Sequence, residues 1–119
     1  NAYFSRRQSR DQFVRDARLR DYNVFVEAIA GLSQAAPNSS QRREFVAKAI
    51  EAKGKIILNS SPSVLDALVK YSAHPALASE QSYSDFANLL SAMRSDIGGD
   101  KDRSFETKVI AILFGDRST

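Results

Sequence analysis

Between residues 9 and 35 the chain has no proline and a single glycine, Gly31, while Tyr22, Phe25, Val26, Ile29 and Leu32 recur at the three- and four-residue spacing of a helix with one buried face. A domain that opens on so long a helix has to be built around it. Upstream of Tyr22 the same face carries Arg18, Arg15, Asp11 and Gln8, so this helix is apolar in its second half and polar in its first. Asp11 precedes Arg15, and Asp16 precedes Arg20, by four residues. That acid-then-base order contributes about 0.3–0.5 kcal/mol per pair and can keep the polar half helical without packing. A strict heptad seam does not continue through this half, which weighs against a self-associating coiled coil.

The polar half also holds the charge asymmetry of the chain. Arg6, Arg7, Arg10, Arg15, Arg18 and Arg20 stand against only Asp11 and Asp16, a net of +4, whereas the remaining eleven basic and twelve acidic side chains net −1. The basic character is therefore one N-terminal segment on an almost neutral body. With 43% apolar and 26% charged residues in 119, the body is of ordinary globular composition and long enough for a core without metal or disulfides. The absence of cysteine excludes thiolate metal and redox chemistry.

Turn chemistry divides the rest. Ala36-Pro37-Asn38-Ser39-Ser40 is a turn with a serine available to cap a second helix, about 41–58, that is expected to bury Phe45, Val46, Ala49, Ile50, Ile56 and Ile57, with Lys53 contributing its stem at most. Gly54 inside it calls for a close neighbour or a bend. Ser61-Pro62 places a cap before a proline at the first helical position, opening a third helix over about 62–73 that buries Val64, Leu65, Leu68 and Val69 and stops at His74-Pro75. After a loop over about 76–81, Ser82 and Asp85 resemble a capping box for a fourth helix with Phe86, Leu89, Leu90, Met93 and Ile97 on one face and Gly98-Gly99 as its stop. The last segment, about 104–114, reads as a shorter fifth helix through Phe105, Val109, Ile112 and Leu113.

The expected fold is all-α, an antiparallel bundle of four helices plus a short fifth, with an arginine-rich extension over 1–20 and the bundle over 21–119. A first helix of about twenty-eight residues reaches about 42 Å and a second of about eighteen about 27 Å, so about 15 Å of the first, its arginine end, protrudes.

The motifs that would carry chemistry do not assemble. His74, the one histidine, sits at a helix end, where interaction with free carbonyls and the helix dipole is the expected role. Asp100, Asp102 and Ser104 alternate like the first ligands of a calcium loop, but the sixth position is Phe105 and the twelfth Ala111. Glu44 and Glu51 can share a face without the Glu-x-x-His pattern of a di-iron bundle, and Gly98-Gly99 follows a helix instead of opening one. No catalytic residue, metal or cofactor is expected. Arg94 and Asp96, one turn before the glycine stop, are candidates for a structural or interface polar pair.

For the six arginines two binding roles compete. A nucleic acid would be met through phosphate neutralisation, with Tyr3, Phe4 and Phe13 available for stacking but no second basic face on the body. A juxtamembrane role explains more, since arginines beside a transmembrane helix hold that side in the cytoplasm and attract anionic lipid, and Tyr3-Phe4 before Arg6-Arg7 suit the interface. Asn1-Ala2 in place of a methionine reads as the remnant of a cleaved tag, which makes Tyr3 internal to a longer parent with an N-terminal anchor.

Asp21-Tyr22-Asn23-Val24-Phe25, Asn59-Ser60-Ser61-Pro62-Ser63-Val64-Leu65 and Met93-Arg94-Ser95-Asp96-Ile97-Gly98 together resemble the soluble tails of small bacterial membrane-anchored proteins of unknown function, over about residues 20–99. The resemblance implies a tether and a helical bundle, and no activity. The expected function is a non-enzymatic interaction module at the cytoplasmic face of the bacterial inner membrane, with an anionic membrane surface and a protein as partners. A nucleic-acid-binding helical domain is the alternative, and pairing of two copies through the protruding helix stays open.

Overall fold

Five α-helices follow one another in the computed structural model, which describes residues 2–74, 78–99 and 103–114, with side chains over 10–74, 78–99 and 103–112. They are α1 (Ala2–Gln34), α2 (Ser40–Asn59), α3 (Pro62–Ser72), α4 (Glu80–Asp96) and α5 (Phe105–Phe114), and no strand occurs among the described residues. The chain divides into two compact units, Asn1–Ser60 and Ser61–Thr119.

In the first unit α1 packs against α2. The turn between them carries Asn38 at φ 61°, a left-handed conformation that asparagine tolerates better than most residues. Ser39 then caps α2, its Oγ accepting from the Arg42 amide at 3.0 Å and donating to the Ala36 carbonyl at 2.7 Å. Gly31 of α1 lies against Phe45 near the start of α2, and Arg18 reaches the last residue of α2, so the two helices run antiparallel. α1 buries Tyr22, Phe25 and Ala28, with Phe25 wholly removed from solvent. α2 buries Ala49, Ala52 and Ile56, with Phe45 half-buried.

That face differs from the expected one. Val46, Ile50 and Ile57 are exposed, Ile50 at 64%. α2 has more apolar residues than one stripe can bury, and the side that packs is the one where Ala49 and Ala52 let a neighbour approach. Of the two readings of Gly54, the close neighbour fails, because a β-carbon there would meet nothing within 4 Å. Gly54 marks open space.

In the second unit α3 packs on α4, and α4 on α5. Pro62 opens α3 as expected, but Ser61 makes no side-chain cap; its carbonyl takes the Leu65 amide at 3.1 Å. α3 buries Val64, Ala67 and Leu68, while Leu65 is half-buried and Val69 is exposed. α4 begins at Glu80, inside the expected loop, and its capping box is Ser79 with Ser82 instead of Ser82 with Asp85. The Ser82 amide donates to Ser79 Oγ at 3.1 Å and the Ser79 amide to Ser82 Oγ at 2.9 Å. Ser82 is thereby buried with its hydroxyl satisfied, a third bond running to the Ser79 carbonyl.

The far end of α4 stops as expected. Gly98 takes φ 86°, the Gly99 amide donates to the Arg94 carbonyl at 2.9 Å, and the Gly98 amide to that of Ser95 at 3.2 Å. These are the paired bonds of a Schellman motif. In α5, Val109 is buried, Phe105 half-buried and Ile112 exposed instead of packed; the side chain of Leu113 and the residues Asp100 and Asp102 lie outside the described residues.

Candidate functional site

α1 spans thirty-three residues and α2 twenty. At 1.5 Å per residue the helices reach about 50 Å and about 30 Å, so α1 runs past the end of α2 by about 20 Å. The sequence suggested a smaller excess because the helix begins at Ala2 instead of near Ser9.

Arg18 marks where the extension starts. Its Nε donates to the Asn59 carbonyl at 2.6 Å, satisfying one of the free carbonyls at the C-terminus of α2 and placing a cation at the negative end of that helix. Before it, residues 10–16 are exposed without exception. Arg10, Arg15 and Arg20 are exposed as expected, whereas Arg18 is half-buried and holds the hairpin together. Arg6 and Arg7 lie within α1, and their side chains are outside the described residues. The Asp16 carboxylate accepts from Gln12 Nε2 at 3.1 Å, in place of its expected partner Arg20.

Near the start of α2, an open cleft of about 380 Å³ is lined by Asn38, Ser39, Arg42, Arg43 and Val46. One of its guanidiniums is already directed elsewhere: Arg42 Nη1 donates to the Leu32 carbonyl at 3.4 Å, a long bond.

In the second unit, Arg94 and Asp96 are two residues apart, on different sides of α4. Arg94 lays its guanidinium over the Phe105 ring, 4.7 Å from the centroid. A β-carbon at Gly99 would stand 2.5 Å from Arg94 Cγ, so the glycine stop also makes room for this contact. Arg94 thus fastens the end of α4 to the start of α5. Asp96 is half-buried in the last turn.

The pairing that sequence reasoning missed is His74 with Asp85. His74 Nε2 and Asp85 Oδ2 are 2.6 Å apart, their side chains 20% and 15% exposed. Instead of capping α3 with its ring, His74 bridges to the second turn of α4; its backbone amide supplies the bond to the Tyr71 carbonyl. Gln81 Nε2 donates to the other Asp85 oxygen at 3.0 Å. These contacts hold the Asp85 carboxyl below its ordinary value, the His74 hydrogen bond first, with Gln81 and the charges of His74 and Lys70 adding to it against the opposing effect of burial. Beside them Tyr71 stacks on Phe86, centroids 5.2 Å apart, and burial raises its phenol. The pair joins two elements that a sequence keeps eleven residues apart, and its geometry is that of a structural tie.

Among the described residues no group of three or more metal-ligating side chains could hold an ion, and no helix is long and apolar enough to cross a membrane. Compared with protein-family models, curated proteins and solved structures, the chain matches none.

Proposed function

We propose that this chain is a non-enzymatic interaction module, the cytosolic domain of a membrane-anchored bacterial protein, held at the anionic inner face of the inner membrane by the arginine-bearing start of α1. Its helical body would face a protein partner. The observation that carries this reading is the exposure of residues 10–16 on a helix that outruns its neighbour, with Arg10, Arg15 and Arg20 left to solvent around Arg18. Cations on an unpacked helix near a bilayer are attracted to anionic headgroups by about 1 kcal/mol each.

In this reading the helices form an antiparallel bundle of four with a short fifth. The antiparallel α1–α2 hairpin supports that arrangement, as does the likeness of three sequence stretches to soluble tails of membrane-anchored proteins.

Co-sedimentation of the full chain with vesicles tests the surface role. Binding should favour phosphatidylserine-containing vesicles over pure phosphatidylcholine and weaken with salt; equal partitioning removes the lipid role. The anchor is tested separately in the natural gene. An apolar run of about twenty residues directly upstream of Tyr3 supports it, and a start methionine a few residues upstream with no such run removes it.

A further inference from the structure

We infer that α1 meets the anionic lipid surface with one defined face, the stripe Arg10, Phe13, Ala17, Arg20 and Val24; the inference rests on the membrane reading above. The residues are spaced three and four apart, which lines them along one side of a helix over about 21 Å. Arg10 and Arg20 are exposed, Phe13 is 71% exposed and Val24 39%, with Ala17 half-buried between them. An aromatic left this far in solvent, with a cation one turn before it and another two turns after, suits contact with a membrane interface: Phe13 would enter the headgroup boundary while the arginines reach phosphates.

Over residues 10–24 the acids of the same helix lie off the centre of this face, and the exposed Glu27, three residues past Val24, closes the stripe with an acid. At about 100° per residue Asp11 lies about 140° from the centre of the stripe. Asp21 is buried, and the Asp16 carboxylate is drawn toward Gln12, on the side away from the stripe. The other described arginines do not belong to it either. Arg18 is committed to the Asn59 carbonyl, and Arg15 sits about 180° round the helix. Interleaved Phe13, Ala17 and Val24 favour a lipid surface over a polyphosphate backbone, which would engage the two cations and leave the apolar positions exposed.

Partitioning of the full chain and its single variants onto phosphatidylserine/phosphatidylcholine vesicles tests the face. All the substituted side chains are exposed, so each variant should keep the circular dichroism of the parent. Arg10→Ala and Arg20→Ala should each lower the partition coefficient about fivefold, Phe13→Ala by a similar factor, and Arg15→Ala less than twofold. Equal losses for Arg15→Ala and Arg20→Ala, with none for Phe13→Ala, would overturn the face while leaving the membrane reading intact. Failure of the unaltered chain to prefer anionic vesicles would remove both. Tight binding of an RNA or DNA duplex, weakened by the arginine variants but not by Phe13→Ala, would assign the surface to nucleic acid instead.

Discussion

Residues 10–17 and residues 21–28 follow one another on a single helix, yet the first stretch exposes Phe13 and Val14 while the second buries Tyr22, Phe25 and Ala28. Nothing in the backbone separates them. What differs is the force that keeps each helical. The packed half is stabilised by burial, about 1.5–3 kcal/mol for each large apolar side chain, and it is locked to α2 by Arg18 at one end and by Gly31 against Phe45 at the other. The extension has only intrinsic propensity and local bonds such as Gln12 to Asp16, each a few tenths of a kcal/mol. A long helix can thus be core at one end and an available surface at the other.

The widest gap should appear on truncating one phenylalanine from each half. Phe25→Ala should lower the unfolding free energy by about 3–5 kcal/mol, whereas Phe13→Ala should change it by less than about 0.5 kcal/mol, both read from urea midpoints. Comparable losses at the two sites would erase the distinction. Gly31→Ala probes the lock itself. The new methyl group would overlap the Phe45 ring, so despite better helix propensity the protein should lose about 1–3 kcal/mol. A gain there would show that the α1–α2 contact is loose.

The second unit supplies a control that leaves α1 untouched. Because the Asp85 carboxyl is held below its unfolded value of about 3.9, its contribution is present above that pH and is lost as pH falls through the lowered folded value. Asp85→Asn should remove that part of the acid dependence, as seen in thermal melts from pH 6 to pH 2. An unchanged acid limb would mean that the tie to His74 contributes nothing. The smallest effect is expected at Gly54, which faces open space: Gly54→Ala should raise stability by about 0.5–1 kcal/mol. A loss would mean that another element covers this side of α2.

Much of this could be read from the chain because spacing and turn chemistry are local. Pro62 at the start of α3, Gly98 at the end of α4 and the apolar second half of α1 each follow from a few neighbouring residues. The face of α2 was not legible in the same way. Val46, Ile50 and Ile57 repeat at helical spacing as convincingly as Phe45, Ala49, Ala52 and Ile56, and only the approach of α1 decides which set is covered. The link between His74 and Asp85 had no sequence signal for a related reason, since it depends on where the end of α3 meets the second turn of α4. Among the candidate contact residues, exposure of Arg10, Arg15 and Arg20 followed from the polar face of α1. The withdrawal of Arg18 did not, because its partner is a backbone carbonyl forty-one residues away.

Hydrogen exchange along α1, measured amide by amide with and without anionic vesicles, tests the central claim most directly. In the free chain the amides of residues 10–17 should exchange far faster than those of 21–34, since opening an unpacked helix costs little. On adding phosphatidylserine-containing vesicles the first set should gain protection while the second stays unchanged. Equal protection of the two sets in the free chain, or no response of residues 10–17 to the vesicles, would contradict the account.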